Sequence, residues 1–153
     1  MSVMSSAVSV REATEADLPA ILRVYAQPEL DHGRVLDLDQ ARGQWRRIHE
    51  HPDYKVYVAE LDRVVVGTFA LLIMPNISHL GAPAGIVDQV GVLPQHQGRG
   101  VGRLMMEHAR DICRRAGCYK LMLSSNLKRQ QAHAFYESLG FEKHGFSFRL
   151  DLR

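Results

Sequence analysis

The stretch from Pro94 to Cys118 reads "PQHQGRGVGRLMMEHARDICRRAGC", and it puts Gly98, Gly100 and Gly102 on alternate positions at the start of a helical pattern. Apolar Val101, Leu104, Met105, Ile112, Cys113 and Ala116 fall on one helical stripe, and Gly117 supplies a natural C-terminal stop. Glycine costs about 0.8–1.0 kcal/mol relative to alanine inside a helix, so three at one N-terminus need a reason. The run "IVDQVGVL" just upstream reads as a strand. Strand, glycine turn and helix together make an anion site. The first N–H groups of a helix lack partners and carry partial positive charge, and glycine removes the Cβ atoms that would hold a phosphate away. Two phosphate loops fail the test. No Gly-Lys-Ser/Thr ends the turn as a P-loop requires, and G-x-G-x-G replaces the dinucleotide G-x-G-x-x-G.

Working outward, "VSVREA" reads as a first strand and Thr14-Glu15-Ala16-Asp17 as a capping-box helix start, with Leu18, Ile21, Leu22 and Tyr25 at helical spacing. A second helix runs through "QARGQWRRIHE". "YKVYVAE" and "VVVGTFALLIM" form a hairpin around Leu61-Asp62-Arg63. After the glycine helix come the strand "CYKLMLS" and a helix presenting Ala132, Phe135, Tyr136 and Leu139, closed by Gly140. "FEKHGFSFRLDL" supplies one or two closing strands. The order β-α-α-β-β-β-α-β-α-β-β predicts an α/β fold with a mixed sheet of six to seven strands and about four helices, in one domain spanning residues 1–153.

Composition narrows the function classes. A net charge of +2 is too small to argue for nucleic acid or an anionic membrane, and Arg46–Arg47 and Arg114–Arg115 fit solvated helix faces. No apolar run approaches the ~20 residues a bilayer demands. The opening "MSVMSSAVSV" lacks the features of a secretory signal, so a cytoplasmic setting is expected by default. Cys113 and Cys118 lack zinc-site spacing, no pair of the eight histidines has metal spacing, and no metal is expected.

The glycine turn fits Q-x-x-G-x-G through Gln97, Gly100 and Gly102. With Val90 and Val92 before it, "GCYKLMLSSN" after the helix and "AHAFYESLGFEK" matching A-x-x-F-Y-x-x-x-G-F, the chain from Ile86 to Phe141 resembles the GNAT superfamily of N-acetyltransferases. The resemblance implies acetyl-CoA bound in a V-shaped opening between the fourth and fifth strands of a mostly antiparallel sheet. It places the pantetheine arm on the backbone of Val90, Gly91 and Val92, and the pyrophosphate on the N–H groups from Gln97 through Gly98, Arg99, Gly100, Val101 and Gly102. Arg99 and Arg103 screen phosphate charge in this reading, and Asn126 matches a pantetheine-contacting position.

Acetyl transfer to an amine needs a neutral amine, a stabilised oxyanion and a protonated leaving thiolate. Tyr136 matches the family tyrosine that faces the CoA sulfur, and its alternative is a packing role on its helix stripe. Alternation puts Asp88 on one strand face with Ile86, Val90 and Val92, where a carboxylate is either a desolvated base or a paired structural group. The implied reaction is direct attack by a small primary amine in a ternary complex. A protein acetyltransferase and a lapsed CoA-binding module are the rival readings. "GCYK" is similar to glucosamine-phosphate acetyltransferases and "LSSNLKRQQAHAFY" to aminoalkylphosphonate acetyltransferases, and neither match names the acceptor. Acceptor choice is assigned to the loops "AQPELDHGRVLDLD" and "MPNISHLGAPAG", with His79 in the second. A homodimer is the prior for assembly.

Overall fold

A computed structural model describes residues 7–153, and the first six residues of the stretch read for a targeting signal lie outside the described residues. The chain runs β1 (Ser9–Glu12), α1 (Leu18–Tyr25), α2 (Leu38–His49), β2 (Tyr54–Leu61), β3 (Val64–Met74), β4 (Ala84–Val92), α3 (Val101–Arg115), β5 (Lys120–Met122) and α4 (Gln130–Ser138). Among the described residues the sheet has five strands in the order β1-β2-β3-β4-β5, antiparallel except for the parallel β4–β5 pair.

The expected six to seven strands are therefore corrected to five. Residues 146–153 alternate apolar and polar as a strand does, yet residues 141–153 join no ladder. Phe146, Phe148, Leu150 and Leu152 are 83–93% exposed, so nothing among the described residues covers the apolar face that a strand there would need. The fifth strand also shrinks, from the whole of "CYKLMLS" to Lys120–Met122.

Local signals set the rest. Asp62 and Arg63 take positive φ (52° and 65°) between paired Leu61 and Val64, the two-residue turn whose twist suits a hairpin. Before α1, the Asp17 carboxylate accepts the Thr14 N–H (2.7 Å), completing the reciprocal cap. Arg11 on β1 bonds both Asp17 and Glu60 of β2, and its hydrogen bond holds the Asp17 carboxyl below the usual carboxylate range. That ties the first strand, its neighbour and the entry to α1 at one point.

Alternate residues of β2 feed two cores. Val56 and Val58 pack with Leu18, Ile21, Ala41 and Trp45 of α1 and α2, while Tyr57 and Ala59 pack with Val101, Met105, Ala109 and Cys113 of α3. The buried stripe of α3 is Val101, Met105, Met106, Ala109 and Cys113. Leu104 and Ala116, expected on that stripe, are exposed. Gly117 ends α3 at φ +78°, with the Cys118 N–H reaching back to the Cys113 carbonyl (2.9 Å).

Candidate acetyl-transfer site

Pairing between β4 and β5 stops at Ile86 and Met122, while β4 continues to Val92. From Val87 onward β4 has a strand partner on its β3 side alone, so its other edge opens beside the route into α3. The β3 register jumps within this stretch: Ala70 pairs with Asp88, but Thr68 pairs with Gly91. Gln89 and Val90 together oppose Phe69, and Gln89 adopts φ +55°. This is a bulge.

Its causes lie partly far away in the sequence. The Asp88 carboxylate accepts the Gln89 N–H (2.8 Å), and the Tyr25 hydroxyl at the end of α1 donates to the Gln89 carbonyl (2.8 Å). Gly91 lets α1 come this close, since a Cβ there would fall 2.9 Å from Val24 Cγ1 and 3.2 Å from Leu30 Cδ1. Buried Gln27, two residues past α1, donates to the carbonyls of Val24 and Val92 (both 2.8 Å), and Gln97 donates to Val92 as well (3.1 Å). The C-terminal end of α1 thus fastens β4 at Gln89 and at Val92.

The bulge corrects the expectation for Asp88. Its side chain is exposed rather than enclosed by Ile86, Val90 and Val92: Asp88 keeps its register opposite Ala70, and the residue inserted after it carries Val90 and Val92 out of its alternation. The Asp88 charge still registers on two neighbours. Burial first, and that charge in addition, raise the Tyr54 phenol above the usual tyrosine range. Tyr25 is pushed up chiefly by burial, with the charge again adding, so its hydroxyl stays a proton donor to the Gln89 carbonyl. Asp88, Tyr25 and Tyr54 share one electrostatic neighbourhood on the β4 side of the opening.

Beyond Val92, a 3-10 turn (Pro94–His96) leads into the glycine turn. Gly98 and Gly100 sit at φ +75° and +85°, and a Cβ on either would meet nothing within 4 Å. Gly100 is the N-cap of α3 and brings no side chain to satisfy the first N–H groups. Open space before unpartnered donors suits an anion. Arg99 and Arg103 are exposed beside it, and Val101 is buried in the core. Gly102 differs from its neighbours. It lies within the helix, and a Cβ there would meet Phe135 Cζ at 3.1 Å, so its small size seats α4 rather than an anion.

That contact delivers the next residue, Tyr136. Its ring lies half-buried between Phe135 (5.2 Å between centroids) and Phe141 (5.8 Å), and burial pushes its phenol above the usual range against a smaller opposing pull from Arg129. Asn126 shapes the turn into α4. Its side-chain oxygen accepts the Lys128 N–H (2.9 Å) and its carbonyl meets Arg129 N (3.0 Å) and His133 Nε2 (2.8 Å). Two buried atoms without hydrogen-bond partners among the described residues, His96 Nδ1 and Ser125 Oγ, flank the glycine turn and Asn126. A polar ligand along this path fits those orphans. His79 stacks on Tyr119 (3.9 Å) near the Ala84 end of β4, at the other end from the bulge, and His144 is exposed. Among the described residues no cluster of three or more His, Cys, Asp or Glu side chains is placed to hold a metal, and no helix is long and apolar enough to cross a membrane.

Comparison with known proteins gives this geometry its class. The model of the acetyltransferase (GNAT) family matches residues 17–141, and the chain belongs to that family. It is an acetyl-CoA-dependent N-acetyltransferase. A putative acetyltransferase from Agrobacterium tumefaciens superposes with a TM-score of 0.87 at 32% identity, covering 94% of this chain and 99% of that one. An aminoglycoside N(6')-acetyltransferase type 1 of Stenotrophomonas maltophilia is 30% identical over 92% of this chain and 90% of its own. A glucosamine 6-phosphate N-acetyltransferase of Trypanosoma brucei brucei is 35% identical over 64% of this chain, and the match spans 65% of that relative.

The sequence missed Tyr25, Gln27, His96 and Ser125. Tyr25 read as one more apolar helix position, Gln27 lies in an irregular loop, and Ser125 stands in "GCYKLMLSSN" without a role of its own. Only the spatial approach of α1 to β4 gives the first two a role.

Proposed function

We propose that the protein acetylates a primary amine of a small molecule by direct attack in a ternary complex. The observation that carries this is the open edge of β4 beyond the bulge, continuous with the anion-ready turn at Gly98 and Gly100. The two curated relatives, named for an amino sugar phosphate and for aminoglycosides, support a small amine as the acceptor class. When bound, acetyl-CoA supplies a thioester carbon reactive enough for direct attack by a neutral amine.

In this reading the main chain of Val90, Gly91 and Val92 binds the pantetheine arm as an added strand would, with Asn126 beside it. The N–H groups from Gln97 to Gly102 hold the pyrophosphate, and Arg99 and Arg103 offset its charge. Asp88, exposed on the open side, takes the ammonium proton at a carboxylate oxygen. Tyr136 Oη carries the proton for the leaving sulfur, and its raised phenol keeps that proton in place at neutral pH. The whole chain, residues 1–153, forms one catalytic domain, working as a homodimer in the cytoplasm, where Cys113 and Cys118 remain free thiols.

A panel of amino sugars, aminoglycosides, aminophosphonates and amino acids, read by CoA release beside lysine and N-terminal peptide controls, tests the reading. Turnover of a small amine above both peptides is expected. Preference for a peptide would move the enzyme to protein acetylation. Acetyl-CoA binding without turnover of any acceptor would make the chain a CoA-binding module.

A further inference from the structure

Four half-buried side chains form an apolar row on the face of the sheet that α1 and α2 pack against, and neither core takes them in. Tyr54, Leu72 and Ile86 stand opposite one another across β2, β3 and β4, and Met122 of β5 pairs with Ile86. Their neighbours along the strands point to the other face, where Leu71, Ile73, Leu121 and Leu123 join the core of α3. None of the four belongs to that core or to the one beneath α1 and α2. The row runs into an open cavity of about 400 Å³ at the end of β3, with Pro52, Tyr54, Leu72, Met74 and Pro75 in its walls. That size suits a small-molecule ligand. No lysine or arginine among the described residues lines it.

The row begins one step from a free carboxylate. Asp88 opposes Ala70, two residues along each strand from the Leu72–Ile86 pair, so the two rows lie about 7 Å apart on one face. The Asp88 carboxylate accepts the Gln89 N–H (2.8 Å) and the Gln89 side-chain amide (3.3 Å), and no ion pair among the described residues includes it. Its charge reaches Tyr54 and raises that phenol further than burial alone does. An amine held at Asp88 has one direction on this face for the rest of its atoms. Toward Val92 the way is closed by Val24, Tyr25 and Leu30, which crowd Gly91. Toward β2, Val56 is packed into the core of α1 and α2. The β5 side is the opening assigned to acetyl-CoA. Toward Ala84 lies the apolar row.

We infer that the acceptor carries an apolar arm, an alkyl chain or an aryl group a few carbons from its primary amine, which lies across Leu72, Ile86 and Met122 and ends in the cavity beside Tyr54. The inference rests on the small-amine acetylation proposed above and narrows its acceptor class. A phosphate or a polyhydroxylated ring on this row would lose water and find no cation in exchange, so amines of those kinds are the poorer acceptors.

Propylamine, butylamine, pentylamine and hexylamine test this, because they share one amine chemistry and differ in apolar length alone. Each methylene that leaves water for the row is expected to raise kcat/KM by about three- to fourfold, or about 30–60-fold from propylamine to hexylamine. Glucosamine 6-phosphate is expected to fall below hexylamine, and 2-phenylethylamine to stand near the top of the series. Leu72→Gln is expected to flatten the series to about the fourfold of a single methylene while the acetyl-CoA thermal shift is retained. Ile86→Thr, in the same row, takes its place if Leu72→Gln does not fold. A flat series in the wild type, or glucosamine 6-phosphate preferred over hexylamine, overturns the apolar arm and leaves small-amine acetylation standing. A series as steep in the variant as in the wild type also overturns the arm, since the chain would then be buried elsewhere. Turnover of peptides alone overturns both, and the row is then covered by something other than a small acceptor.

Discussion

Replacing Gly100 with alanine separates the work of the glycine turn from that of the helix it begins. Gly100 stands at φ +85° with nothing within 4 Å of an added Cβ, so the methyl group meets no atom of the protein. The cost in the free enzyme is conformational, about 1–2 kcal/mol for an L-residue held in the left-handed region. For a chain of this size that lowers Tm by about 2–8 °C. The same methyl projects into the space assigned to the pyrophosphate, so a second loss should appear with ligand. Acetyl-CoA at one hundred times its Kd stabilises the wild type by about 2.7 kcal/mol. A tenfold weaker site at that concentration yields about 1.4 kcal/mol, and the ligand-induced shift is halved. Gly102→Ala is the control. It gains up to about 1 kcal/mol of helix propensity and crowds Phe135 at 3.1 Å, an overpacking cost of about 1–3 kcal/mol. Its net stability change is therefore a modest loss, and its acetyl-CoA shift stays near that of the wild type. A thermal-shift titration of the three proteins decides. A full acetyl-CoA shift in Gly100→Ala, or equal losses of shift in both variants, refutes the division.

Tyr136→Phe keeps the ring between Phe135 and Phe141, so folding and acetyl-CoA binding persist while kcat falls about 10²–10⁴-fold. Because burial raises the Tyr136 phenol, a donor there is lost only above the usual tyrosine value of about 10, and any descending limb of rate below that pH must persist in Tyr136→Phe. Asp88→Asn should lower kcat and flatten the ascending limb with acetyl-CoA affinity unchanged; a limb that persists belongs to the acceptor amine. Tyr25→Phe removes one hydroxyl and leaves the exposed Gln89 carbonyl to water, a stability cost of about 0.5–1.5 kcal/mol, with a rise in the acetyl-CoA KM that a remote surface change would not produce. An unchanged KM in Tyr25→Phe would show that the α1 contact does not shape the cofactor edge.

The parts of this protein legible from the sequence are those set by neighbours along the chain. The turn at Asp62-Arg63, the stops at Gly117 and Gly140, the Thr14–Asp17 cap and Val101, Met105 and Cys113 of the buried stripe of α3 each depend on residues within a few positions, where periodicity and φ preference decide. The glycine turn was legible for the same reason, since Gly98 and Gly100 carry their positive φ as a local property. Tertiary structure decided where long-range contacts override that pattern. Asp88 lacks the enclosure its pattern implies because a bulge just after it, bonded at Gln89 by a hydroxyl 64 residues away, carries Val90 and Val92 out of its alternation, and a period-2 pattern carries no sign of where such a shift falls. Gly102 serves Phe135 because α4 returns across α3, not because of anything in G-x-G-x-G. The strand pattern of Phe146–Arg153 is real in the sequence, but a ladder needs a facing edge, and the fold of a single chain leaves that segment uncovered.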